Sequence, residues 1–114
     1  PLKASIEQVA SETLKILRRT VPVAVPSVNF LSGGQTPQEA TAHLNMMHTL
    51  FPNLPWNLSY SYARALQDDC LKSWLGEAKN VELAQKALYK RVKLNSLAAM
   101  GKYTLDKEKE ALVA

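Results

Sequence analysis

Two short strand-like segments, each followed by a turn and a helical pattern, limit the possible folds of this chain more than any other feature. Residues 25–31 are apolar and rich in β-branched side chains, with Pro26 tolerable only near a strand start. Residues 57–62, from Asn57 to Tyr62, alternate polar and apolar, the period of a half-buried strand. Between them, Thr36-Pro37-Gln38-Glu39 predicts a helix start. Thr36 can cap, Pro37 suits the first helical position, and Glu39 completes a capping box. Ala40, Leu44, Met47 and Phe51 then carry an apolar stripe as far as Pro52. Strands separated by a whole helix need crossover connections, which predicts a parallel sheet. Two parallel strands alone leave both edges unpaired, so the expected structure is a piece of a larger α/β fold.

The remaining segments read as helices. Residues 5–19 place Ile6, Val9, Ala10, Thr13, Leu14 and Leu17 on one face, with Ser5 and Gln8 as a capping box. Arg18 and Arg19 suit the last turn, and Val21-Pro22 ends the helix. From Ala63 the period turns helical, with Leu66, Cys70 and Trp74 aligned and Gly76 as the stop. Residues 81–100 form a last long helix, with Val81, Ala84, Leu88, Val92 and Ala99 expected inward and Gly101 after its end. The predicted order is α-β-α-β-α-α. Residues 102–114 are charged and expected to be a mobile tail.

Composition removes several classes. Of 114 residues, 46% are hydrophobic and 21% charged, which excludes a disordered polar tail. No window reaches eighteen consecutive apolar residues, and the first residues lack the apolar run of a secretory signal. The missing initiator Met is expected of a chain that begins inside a longer protein. A single cysteine, Cys70, forms no internal disulfide or zinc cluster, so a reducing compartment, the cytoplasm, is the default. The net charge of +4 suits an anionic small ligand as well as nucleic acid and decides nothing alone.

Two features fall at the carboxyl ends of the two strands. Ser32-Gly33-Gly34 lies between a strand and a well-capped helix. There glycines permit close backbone approach, and free N–H groups with the positive dipole end favour an anion. Ser61-Tyr62-Ala63-Arg64 occupies the matching turn of the next unit, and Arg64 offers a planar fork of donors suited to phosphate. One β/α unit spans about thirty residues, so the two turns are expected side by side on one rim.

Phe30-Leu31-Ser32-Gly33-Gly34-Gln35, Glu39-Ala40 and the run Ser61-Tyr62-Ala63-Arg64-Ala65-Leu66-Gln67 resemble class I fructose-1,6-bisphosphate aldolase. So do Leu17-Arg18-Arg19-Thr20-Val21-Pro22, Asn95-Ser96-Leu97-Ala98 and Gly101-Lys102-Tyr103, in order along nearly the whole chain. The resemblance implies an α/β fold, the C-terminal part of a (β/α)8 TIM barrel that includes strands seven and eight. Residues 1–101 would then be a segment of that barrel rather than a complete domain. It further implies a Schiff-base lyase of glycolysis and gluconeogenesis. Such an enzyme reversibly cleaves fructose 1,6-bisphosphate to dihydroxyacetone phosphate and glyceraldehyde 3-phosphate, needs no cofactor and assembles as a homotetramer. Carried over residue by residue, Ser32, Gly33, Gly34, Ser61 and Arg64 match the binding site for one substrate phosphate. Ala63 stands where many members have glycine. No catalytic residue of the family matches this chain. There is no Leu-Lys-Pro-Asn type run for the Schiff-base lysine, and Lys3 precedes a helix and is not assigned that role. Tyr103 lies too far upstream to match the family's terminal tyrosine. The partners implied are a sugar bisphosphate and the remainder of the barrel, with no membrane.

Other residues weigh less. His43 and His48 are five apart, about 140° around a helix, and share no ligand face, so no metal site is expected. Cys70 is read as packing rather than as a nucleophile, and Trp56 and Trp74 as core or barrel wall. The rival reading is a basic nucleic-acid or protein-binding module built on Lys86, Lys90, Arg91 and Lys93. It lacks the interleaved aromatics that base stacking needs, since only Tyr89 is near.

Overall fold

Capping geometry starts both of the first two helices where the sequence places them. In the computed structural model, which describes residues 2–110, Ser5 accepts from the Gln8 N–H while the Gln8 side chain accepts from the Ser5 N–H. This opens α1 (Ile6–Thr20). Thr36 and Glu39 make the same reciprocal pair at the start of α2 (Pro37–Leu50). Between them runs β1 (Ser27–Leu31), shorter at its start than the pattern predicts. Val25 instead closes a turn by donating its N–H to the Pro22 carbonyl.

β2 (Asn57–Ser61) pairs with β1 in parallel, in register from Ser27 opposite Asn57 to Leu31 opposite Ser61. These two strands are the whole sheet among the described residues. One face, carrying Val28, Phe30, Leu58 and Tyr60, packs into the core with Ala10, Leu14, Ala40, Leu44 and Met47. The other face ends in Leu31, 81% exposed, and Ser61. An exposed leucine at a strand end is the liability of a small sheet with unpaired edges.

α3 (Arg64–Trp74) follows, then a 3-10 turn at Ala78–Asn80, α4 (Val81–Ala98) and α5 (Leu105–Glu110). The observed order is the expected α-β-α-β-α-α as far as α4, with the short 3-10 turn added before α4 and α5 added after it. Trp56 is buried as expected, whereas Trp74 lies at the surface, 42% exposed.

The inward face of α4 differs from the predicted one. Ala84 is buried, but Val81 and Val92 are exposed, and Arg91, Leu94, Asn95 and Ala98 fill the interface instead. The cause is a polar network. Arg91 is fully buried and donates to both carboxylate oxygens of Glu108 at 2.9 Å and to the Thr41 hydroxyl at 3.0 Å; Asp69 stands 3.5 Å away. Thr41 in turn donates to Asn95 Oδ1. A buried guanidinium is tolerated only with partners of this kind, so the network sets the rotation of α4.

The same network alters the expected tail. Gly101 takes φ +71° just past α4, and the Lys102 and Gly101 N–H groups return to the Leu97 and Ala98 carbonyls. The chain is thus turned back, Tyr103 is buried, and Glu108 is gripped by Arg91, Lys90 and the Tyr103 hydroxyl. Residues 105–110 are accordingly a docked helix, and 111–114 lie outside the described residues.

Burial opposes ionisation of Glu108, yet its bonds from Arg91 and Lys90 outweigh that and hold its pKa below the ordinary 4.5. A carboxylate with a depressed folded pKa stabilises fully above its unfolded value and loses that contribution as pH falls through the folded one. Glu108→Gln is therefore expected to lower the melting temperature at pH 7. The gap to wild type should close progressively below about pH 4.5, as thermal melts across pH will show. Arg91→Ala, which leaves Glu108 buried and unpaired by its main partner, is expected to cost about 3 kcal/mol.

Candidate functional site

Because Leu31 and Ser61 are register partners, the chain leaves both strands at one level, and the two following turns meet. They form an open cleft of about 380 Å³ lined by Ser32, Gly33, Gly34, Ser61 and Arg64, the five residues singled out from sequence. Leu31, Gln35, Thr36, Ala63 and Asp68 complete the walls.

The first wall is a tight turn. The Gln35 N–H bonds the Ser32 carbonyl at 3.2 Å, and Gly34 sits at the third position with φ +80°, as a type II turn requires. The Gly33 and Gly34 N–H groups take no part in that bond. A Cβ placed on Gly33 would meet nothing within 4 Å, so packing does not explain this glycine. Gly33 lines the cleft. Ser32 is buried beside it.

The start of α2 contributes less than its sequence predicts. Its capping box occupies the Thr36 and Glu39 N–H groups, and Pro37 has none to offer. Lys3 also pairs with Glu39, and together with the Thr36 N–H it holds that carboxyl below its usual range. Of the first turn of α2 only the Gln38 N–H stays free, so further donors at a helix start must come from elsewhere.

They come from the second wall. α3 begins at Ala63, whose side chain can cap nothing, and whose backbone (φ −133°, ψ −104°) is neither helical nor extended. Leu66 and Gln67 bond back to the Ala63 carbonyl, which leaves the earlier Arg64 and Ala65 N–H groups at the open end of the helix dipole. Arg64 itself is exposed and has no ion-pair partner among the described residues. The arrangement supplies turn N–H groups, serine hydroxyls, an uncapped helix start and one unpaired guanidinium. That donor set fits a small anion bearing several oxygens, such as a phosphate ester.

Asp68 and Gln35 were not anticipated from sequence. Asp68 lies four residues after Arg64 and so faces the same side of α3, a spacing that could have identified it. No local signal marks Gln35, whose partners are distant in sequence. Neither histidine joins a metal site. His43 is buried against Gln35, His48 bonds the Leu58 carbonyl, and no group of metal-ligating side chains occurs among the described residues. Cys70 is half-buried on α3, away from the cleft.

Residues 1–113 match the family model for class-I fructose-bisphosphate aldolase. The chain is 56% identical over 108 residues to fructose-bisphosphate aldolase 1, chloroplastic, of Arabidopsis thaliana, covering 95% of this chain and 27% of that one. It is also 56% identical to the fructose-bisphosphate aldolase of Dictyostelium discoideum, covering 91% and 29%. A solved structure of the Plasmodium falciparum fructose-bisphosphate aldolase, in complex with TRAP and a small-molecule inhibitor, superposes with a TM-score of 0.86 at 47% identity. It covers 90% of this chain and 29% of the other. The chain belongs to the class-I fructose-bisphosphate aldolase family, and it spans 27–30% of the length of the curated relatives it matches.

The two glycines separate packing from access. Gly33→Ala is expected to leave the melting temperature unchanged while weakening anion binding, because its methyl meets no protein atom and sits on a residue that lines the cleft. Gly34→Ala is expected to destabilise by about 1–2 kcal/mol, because its positive φ suits no L side chain. Thermal melts paired with phosphate titrations of both variants will check this.

Proposed function

We propose that this chain is the phosphate-binding end of a Schiff-base fructose-bisphosphate aldolase and that its two strands are the seventh and eighth of a (β/α)8 barrel. One observation carries the reading: Ser32, Gly33, Gly34, Ser61 and Arg64 converge on a single cleft at the carboxyl ends of adjacent parallel strands. Ligand sites of barrels of this type lie on that rim, and phosphate sites recur after strands seven and eight.

In this reading one phosphate of fructose 1,6-bisphosphate rests against the Gly33 and Gly34 N–H groups and the Ser32 and Ser61 hydroxyls. Arg64 supplies a charge-assisted contact from the neighbouring turn. The imine forms on a lysine outside this chain. The chain's contribution is to fix the far end of the substrate, so that the carbon bond to be broken lies correctly over that lysine. The remaining strands close the barrel over the open sheet face, and a homotetramer is the assembly the family suggests. The lone Cys70 supports a reducing compartment such as the cytoplasm. Several relatives are named chloroplastic, and no helix among the described residues is long and apolar enough to cross a membrane.

The rival basic module loses its central residues. Arg91 is buried, Lys90 is paired with Glu108, and Lys86 faces Glu82 on the same helix.

The complete enzyme is expected to be trapped covalently by borohydride in the presence of dihydroxyacetone phosphate, with the label outside residues 1–114. Labelling of Lys3 would overturn that assignment. Arg64→Ala in the complete enzyme is expected to weaken substrate binding roughly ten- to a hundredfold, the loss of a charge-assisted contact of about 1.5–3 kcal/mol. A substrate lacking the phosphate held here should be affected much less. Comparison of kcat/KM for both substrates decides the point, since equal losses would assign Arg64 to the fold.

A further inference from the structure

Behind the Ser32–Gln35 turn, three side chains from three elements meet on one atom. The Gln35 Oε1 accepts from the Tyr60 hydroxyl at 3.1 Å and lies 2.6 Å from His43 Nδ1. Tyr60 comes from β2 and His43 from α2, and both are buried. With the Tyr60 hydroxyl donating and His43 as its Nδ1–H tautomer, both hydrogen bonds fall on the Gln35 oxygen, and the amide cannot rotate without breaking them. Its nitrogen makes no hydrogen bond among the described residues, and Gln35 lines the same cleft as Ser32, Gly33, Gly34 and Arg64. A side-chain amide whose oxygen is tethered has its nitrogen, a donor, fixed in orientation as well.

We propose that Gln35 is a further anion-binding residue of the cleft, its side-chain N–H donated to the phosphate, and that Tyr60 and His43 are positioning residues acting through it. This rests on the phosphate-binding reading above and extends it to three residues that the sequence resemblance gave no role. Pre-orientation is what the tether supplies. A glutamine free to rotate presents its oxygen to the anion as readily as its nitrogen, whereas one held by Tyr60 and His43 presents only the donor.

The tyrosine is suited to that part. Burial raises the Tyr60 pKa, so its hydroxyl remains a donor throughout the working pH range. The histidine is kept neutral chiefly by burial, partly offset by Glu39 nearby, and its Nδ1–H tautomer is the one that serves Gln35.

The test uses inorganic phosphate as the probe, titrated calorimetrically into the complete enzyme and its variants, with melting temperatures measured alongside. Gln35→Glu keeps the tethered oxygen and replaces the N–H by a carboxylate oxygen. It is expected to weaken phosphate binding by about tenfold or more with little change in stability. Gln35→Ala is expected to weaken it about three- to tenfold. Tyr60→Phe and His43→Leu are each expected to weaken binding about two- to fivefold in the wild-type background and not at all when added to Gln35→Ala. That loss of effect separates positioning through Gln35 from a general effect on the fold, which would persist in either background. Should Gln35→Ala fail to fold, Gln35→Glu carries the test. Unchanged phosphate affinity in Gln35→Glu while Arg64→Ala weakens it overturns the proposal alone. Unchanged affinity in Arg64→Ala overturns the phosphate reading and this proposal with it.

Discussion

The parallel pairing of β1 with β2 is the constraint from which the rest of this structure follows. A parallel ladder in register forces both chains to run the same way and to end at the same height. Leu31 opposite Ser61 is that common end. From there one chain must turn through Ser32-Gly33-Gly34 into α2 and the other through Tyr62-Ala63 into α3. Two turns that are thirty residues apart in sequence become the two walls of one cleft. A slip of one residue in the pairing would send Leu58 and Tyr60 to the open face and carry the second wall away from the first.

A second constraint acts on the helical side. Burial of a guanidinium is costly unless every charge finds a partner, and Arg91 meets this with Glu108, Asp69 and Thr41. Each partner belongs to a different element, so one side chain fixes α2, α3, α4 and α5 relative to one another. The helices so fixed include both that carry the cleft: α2 after the glycine turn and α3 with Arg64. The arrangement is not saturated, since Arg91 Nε and Asn95 Nδ2 are buried without partners. Each buried donor left without a partner carries a desolvation cost that the paired members of the network must offset.

The cleft itself divides its labour between two helix starts. α2 is closed by its own capping box, which stabilises the helix but consumes donors. α3 is left uncapped at Ala63, which forgoes stability and keeps donors available. Stability and ligand affinity draw on the same N–H groups, and adjacent turns have resolved the conflict in opposite ways.

Sequence alone determined the element order as far as α4, both capping boxes, the parallel sheet, the family and which five residues would lie at the two adjoining turns. These rest on hydrogen bonds three or four residues apart, on periodicity, and on contiguous motifs, all of which neighbours in the chain specify. It misjudged the buried face of α4 and the residues after Gly101, and it was silent on Gln35. Arg91 reads as one more solvated cation in a basic run, and Glu108 as part of a charged tail. Their partners lie 17 residues apart, and the Thr41–Asn95 and Tyr60–Gln35 contacts span 54 and 25. Only tertiary structure decided these. Whether a charged or polar side chain is buried depends on which partner reaches it across space, and periodicity carries no record of that meeting.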